Sequence, residues 1–268
     1  MKIYSSVISG SLNVLGDITA ETYITKTSVS TVTQSFSSGS TIFGDSGDDT
    51  HQFTGSLFIS GSSIALGDGN NNVVLGKNVN LDVGGSTYST YIGYQAAGGN
   101  SSTELGGQSI TVVGWGAGQD MQQNPHRTTL IGAFAGANLN VGLDNTFVGS
   151  DAGFTLTGAD RNVFIGSSAG YQTVDVDNAV IIGYQAGYSN MTSDADGTVA
   201  IGYEAGKAIT SGAGNTAIGF DAMKNLVTGA GNVAIGYEAG EGFENAETGN
   251  VAIGFEAMAL ADEGTGGG

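Results

Sequence analysis

A few short stretches of this 268-residue chain carry residue types that could do chemistry. Gly44-Asp45-Ser46-Gly47, with His51 close behind, imitates a serine-nucleophile signature. A working triad needs a base and an orienting carboxylate brought from distant segments of a rigid fold, and here the tetrapeptide sits in a polar loop. Gly166-Ser167-Ser168-Ala169-Gly170 fits the G-x-S-x-G pattern of a nucleophile elbow. The elbow needs a strand that feeds a helix, and no helix is expected here. Neither stretch is read as catalytic, and the chain is not read as an enzyme.

The acidic residues make a second candidate. Glu204, Asp221, Glu238 and Glu256 recur at near-constant spacing, with Asp151 an earlier member of the series. Stacked on one face, four carboxylates would repel one another unless cations or screening intervene. An oxygen-only ladder would suit calcium or magnesium; the simpler reading is a solvated acidic stripe with no metal and no cofactor. Asp175-Val176-Asp177 and Asp194-Ala195-Asp196-Gly197 are too short for calcium loops and read as turns.

That spacing belongs to a repeat. Aligned on the glycine after an aliphatic pair, ten copies fall at Gly93, Gly114, Gly132, Gly149, Gly166, Gly183, Gly202, Gly219, Gly236 and Gly254, and a degenerate copy ends at Gly76. The period is about 17 residues, with inserts at 98–108 and 120–127. Numbering from the glycine, position −1 is Ile or Val in all ten copies and position +3 is Ala in all ten, Ala205 and Ala239 among them. Position −4 is Asn at 145, 162, 215, 232 and 250. Three apolar residues make a short strand, glycine ends it, a small residue packs the corner, and Asn or Gly turns the chain. One such unit cannot bury its own face, so copies must stack. The expectation is an all-β, parallel β-solenoid of ten to eleven coils over residues 63–260, with an Asn ladder along its turns.

Composition agrees. The chain has 47 Gly, one Pro, no Cys and a net charge of −18. Turns consume the glycine, and without cysteine there is no disulfide framework or thiolate zinc site. Nucleic acid and anionic membrane are poor partners for so acidic a chain. No run is long enough for a membrane helix, and MKIYSSVISGSLNV does not read as a secretory signal.

A size pattern runs through the copies. Large residues at −2 go with small ones at +1 in Leu130/Ala133, Phe147/Ser150 and Phe164/Ser167; the order reverses in Ala200/Tyr203, Ala217/Phe220, Ala234/Tyr237 and Ala252/Phe255. Constant volume implies that the two positions share one packing space, which requires the glycine to be a corner.

The phrase N-x-A-I-G in Asn215–Gly219, Asn232–Gly236 and Asn250–Gly254 resembles the head repeats of trimeric autotransporter adhesins of the YadA type. The fuller wording IGYEAG and IGYQAG is similar to repeats of bacteriophage tail-fibre proteins, and SGSLNVLGDITAETYIT resembles leading segments of phage structural proteins. The resemblance implies a β-roll that packs as an intertwined homotrimer and serves as a stiff segment of a virion fibre, made in the host cytoplasm. Residues 1–62 would be an attachment or capping segment, joining other fibre or baseplate proteins, and 261–268 a flexible Gly-rich tail. Loops near the inserts, with Trp115, His126 and Arg127, are where contact with a host-surface glycan would be placed. A self-polymerising extracellular filament or adhesin is the first alternative and a polysaccharide-degrading tailspike the second. An ice-binding solenoid lacks a regular threonine array in the sequence.

Overall fold

Each repeat supplies one three-residue strand because its Val, Thr, Ile and Phe content favours a pleated, half-buried surface, and the next residue is a glycine. The computed structural model describes residues 72–79, 86–98, 107–121 and 125–259. The N-terminal segment 1–62, with Gly44–Gly47 and His51, and the tail 261–268 lie outside the described residues, as do 99–106 and 122–124 of the two inserts.

Eleven strands form one parallel sheet in sequence order: β1 (Val73–Leu75), β2 (Thr90–Ile92), β3 (Thr111–Val113), β4 (Thr129–Ile131), β5 (Thr146–Val148), β6 (Val163–Ile165), β7 (Val180–Ile182), β8 (Val199–Ile201), β9 (Thr216–Ile218), β10 (Val233–Ile235) and β11 (Val251–Ile253). Every pairing is in the same register, so Phe147 lies on Phe164 and Ala217 on Ala234. The protein is an all-β parallel solenoid, one coil per repeat. Among the described residues no helix is long and apolar enough to cross a membrane.

Position −2 of every strand points inward, and positions −3 and −1 are half-buried or exposed on the outer face. Alternation with period two continues through the glycine, so position +1 also points outward. Tyr91, Leu130, Phe147, Phe164 and Ile181 are fully buried, while Tyr184, Tyr203, Phe220 and Tyr237 are exposed. The shared volume expected of −2 and +1 is therefore absent. The glycine does end the strand, but its two neighbours face opposite sides of the wall.

The interior partner of position −2 is position +7. A Cβ placed on Gly118 would meet both Met121 and Leu130, and one on Gly240 would meet both Ala234 and Phe243. Volume is balanced across this pair. Phe164 goes with Thr173, whereas Ala200, Ala217 and Ala234 go with Ile209, Leu226 and Phe243, all buried. The alanines at +3 are fully buried from Ala96 through Ala239, closing the corner as the repeat implies.

The anchor glycine is fixed by close approach. A Cβ on Gly166 would fall 2.5 Å from the carbonyl oxygen of Gly183, and its φ is +131. Equivalent contacts recur coil after coil, so no side chain fits in this column.

The Asn ladder is present and more fully bonded than a turn signal alone implies. Asn145 Oδ1 accepts the backbone N–H of Asn162 at 3.0 Å and its side-chain amide at 3.2 Å. Asn162 Nδ2 also donates to the Val176 carbonyl at 2.7 Å, and Asn162 Oδ1 accepts the Ala179 N–H at 2.9 Å. Asn215 and Asn232 repeat the arrangement. Each amide joins one coil to the next inside the wall, where an unmade bond would be costly.

Replacing Asn162 with Ala strips a donor from Val176 and an acceptor from Ala179. Each orphaned group costs about 1–3 kcal/mol, so a loss of about 2–5 kcal/mol is expected by chemical denaturation. Asn250→Ala, at the last described coil, should change stability by less than about 0.5 kcal/mol.

Candidate functional site

The four acids expected to form one ladder occupy the second residue past each anchor glycine, and there the backbone is left-handed, with φ of 50 to 53. In this conformation the side chain leans along the stacking direction toward its neighbours. The four do not share one environment. Glu204 and Asp221 are only 7% and 8% exposed, Glu238 is half-buried and Glu256 is exposed. A uniform solvated stripe is thus ruled out for the first two.

Their charge is met by the chain itself. Lys224 Nζ lies 2.8 Å from Glu204 Oε2 and 3.0 Å from Asp221 Oδ2, bridging two coils. Lys207 Nζ lies 2.9 Å from Glu204 Oε1 and also stands over the Tyr188 ring, 5.9 Å from its centroid. The Lys224 ammonium thus lies between two carboxylates, and Lys207 pairs with Glu204 alone. Among the described residues no group of three or more His, Cys, Asp or Glu is arranged to hold a metal. Burial pushes the Glu204 carboxyl up, but the hydrogen bonds from Lys224 and Lys207 outweigh it and leave the group below its ordinary value. Hydrogen bonds to Glu204 and Asp221 raise Lys224 above the usual lysine range. The Glu204 charge raises the neighbouring Tyr203 phenol.

The residues expected to carry surface contacts are placed differently from one another. Trp115 is 56% exposed, its ring centroid 4.8 Å from that of Phe134. His126 accepts the Gln108 N–H through Nδ1 at 3.1 Å, so it is tied to the preceding coil. Arg127 donates to both oxygens of Asp144 at 2.5 and 2.8 Å, one coil further on. This bond, ahead of any longer-range charge effect, holds the Asp144 carboxyl below its usual value. His126 and Arg127 are pins between coils, and of the three only Trp115 presents an uncommitted surface.

Three features were missed by reading the sequence. One is an aspartate ladder at the turn: Asp160, Asp177 and Asp196 each accept a backbone N–H from the coil before, at 2.7 to 2.9 Å. Of the two stretches expected to be turns, 175–177 opens with a bend at Asp175, and Asp194–Gly197 begins in a short 3-10 helix (Ser193–Ala195) and ends in a turn; Asp177 and Asp196 are their ladder members. The others are two rows of rings, one exposed and one half-buried. Tyr184, Tyr203, Phe220, Tyr237 and Phe255 stack face to face with centroids 4.8 to 5.4 Å apart. Phe154, Tyr171 and Tyr188 form the other row at 5.2 and 5.3 Å. Recurrence of an aromatic at one repeat position was the available signal. Ring faces are spent on one another and only edges point outward, so sugar rings have no free face to stack on except at the ends.

Gly166–Gly170 is an ordinary member of the repeat, a turn after β6 with Ser168 at φ 56 and no helix following. The fold and this surface define a repeat solenoid whose coils are stapled by amides, acids and rings. Comparison with protein-family models, curated proteins and solved structures finds no match to the chain.

The Glu204 carboxyl is depressed in the folded protein, so its contribution to stability is present above the ordinary carboxylate pKa of about 4.3 and is lost as pH falls through the lowered value. The melting-temperature gap between the wild type and Glu204→Gln should be constant from about pH 5.5 to 8 and shrink below about pH 4. Lys224→Met, which leaves Glu204 and Asp221 short of a partner, should cost about 1–3 kcal/mol at neutral pH.

Proposed function

We propose that the chain is a structural segment of a bacteriophage virion fibre, in which three copies pack side by side into a stiff rod. The carrying observation is the outer face of the sheet. Position −1 is Ile or Val in every one of the ten copies, yet it points away from the coil's own interior. The buried −2 position drifts between Phe, Leu, Ile, Val, Tyr and Ala. Both positions are apolar in every copy, but a position held to one β-branched type outside while the inside varies is held for a surface that the chain itself does not provide. Ile131, Ile165 and Ile235 stand exposed on this face, Ile235 beside the ring row, forming an apolar band along the coils.

Copies of the same chain are the natural occupant. A three-fold axis parallel to the stacking direction would set equal coils at equal height, so Ile meets Ile along the length. The phage assignment rests on the resemblance of the IGYEAG and IGYQAG wording. In that reading residues 1–62 join the rod to other fibre or baseplate proteins, the protein resides on the virion, and exposed loops near Trp115 meet a host-surface glycan.

Light scattering of the purified chain should give three times the 26.8 kDa monomer mass. The double variant Ile201→Lys, Ile218→Lys should run as a monomer with the β-rich circular dichroism of the wild type. A wild-type monomer would sink the side-by-side assembly. Loss of fold in the double variant would place those residues in a core rather than at an interface.

A further inference from the structure

Three successive turns of the solenoid share one backbone and differ in one charge. In each, position +2 is an acid with φ of 50 to 53. The +5 N–H donates to the carbonyl of that acid: Lys207 to Glu204 at 3.2 Å, Lys224 to Asp221 at 3.2 Å and Glu241 to Glu238 at 3.3 Å. Position +5 therefore starts from the same place in all three. It is lysine in the first two turns and glutamate in the third.

A shift by one coil shows what the third turn lacks. Lys224 Nζ lies between Asp221 of its own coil, at 3.0 Å, and Glu204 of the coil before, at 2.8 Å. The equivalent place one coil on lies between Glu238 and Asp221, and there the residue at +5 is Glu241. Asp221 is only 8% exposed. Its Oδ2 is bonded to Lys224, and its Oδ1 is buried with no hydrogen-bond partner among the described residues. A buried carboxylate oxygen without a donor is costly, and a cation is the remedy the chain itself uses one coil earlier. Residues 225–268 contain no Lys or Arg to supply it.

The filled place also indicates which cation fits. An ammonium needs only the two carboxylate contacts that Lys224 makes, whereas calcium takes about six to eight oxygens. Among the described residues no three acids are arranged to hold a metal. The acids recur along the axis: Asp221, Glu238 and Glu256 hold +2 in coils whose strands pair in register, about 4.7–4.9 Å apart. A second ammonium one coil further on would lie between Glu238 and Glu256, so two such groups on a short methylene stem match the ladder. The Tyr237 phenol is raised, first by its hydrogen bond to Glu238 and then by the charges of Glu238, Asp221 and Glu256, so these acids act on one place.

We infer that Asp221, Glu238 and Glu241 form a binding slot for an aliphatic polyamine, whose terminal ammonium takes the place that Lys224 takes one coil earlier. Glu256 meets the next ammonium of the same ligand. The methylene stem needs no polar partner and lies along apolar surface, as lysine stems do. The slot is built from positions +2 and +5 and not from the −1 face. It therefore stands whether or not copies pack side by side.

Titration calorimetry of the full-length protein with spermidine at low salt tests it. The wild type should bind, and Glu241→Lys, which supplies the ammonium from the chain, should weaken binding about tenfold or more. Without ligand the same variant should melt above the wild type. Glu244→Lys makes the same change in net charge on an exposed residue outside the slot, and should stay within about twofold of the wild type. Glu238→Gln, a milder change, should weaken binding about threefold and keeps the test open should Glu241→Lys disturb the fold. A wild type that does not bind overturns the inference. Equal weakening by Glu241→Lys and Glu244→Lys does so too, because it reduces the effect to bulk charge. Calcium bound more tightly than spermidine, and lost in Glu241→Lys, would make the slot a metal site and overturn it as well.

Discussion

Everything in this molecule follows from the close axial approach of one coil to the next. Paired strands sit about 4.7–4.9 Å apart, and in a solenoid that distance is imposed on every residue of the repeat, not only on the strand. Each side chain therefore meets its own counterpart. A glycine carbonyl lies where a neighbour's Cβ would be, so the anchor column admits no side chain. An amide, which both donates and accepts, can bond its own kind indefinitely, and Asn fills the turn. Rings stack because the rise matches their thickness closely enough to leave centroids about 5 Å apart. Like charges are the one residue type for which self-stacking is unfavourable. Where buried acids recur, Lys224 bridges Glu204 and Asp221, and Lys207 adds a second partner to Glu204.

This constraint also decides what can be read from the letters. The period, the strands, the anchor glycine, the corner alanine and the Asn column were legible, because a column repeats its identity at fixed spacing and ten copies average out the drift. The direction in which a column points was not. Sizes at −2 and +1 are anticorrelated along the chain, yet Phe164 is buried while Ser167 sits on the outer side. The true partner at +7 is harder to see because an insert displaces it: Met191 takes the buried place one residue later than its counterparts. Pairing of Glu204 with Lys224 spans 20 positions, from one coil to the next, so neither residue marks the other locally.

Inside and outside carry different kinds of specification. The interior is constrained by total volume, which several residue pairs satisfy, so Phe with Leu can give way to Ala with Phe over a few coils. The outer face is constrained residue by residue at −1, which volume alone does not require. That inversion of the usual order, a tolerant core beneath a strict surface, is the observation on which the proposed side-by-side packing rests.

The acids then have a role beyond keeping an edge-bearing sheet dissolved. An open coil edge offers the same hydrogen-bonding groups to any strand that approaches, so geometry alone cannot choose among partners. Charge can, because a wrong approach is penalised when it brings like charges together. Acids run through the whole sequence, from Asp17 to Glu263, so two edges of this chain that approach bring like charges together. The interior ladders make every coil a competent surface for the next, and the net charge of −18 penalises edge-to-edge contact that the ladders alone would allow.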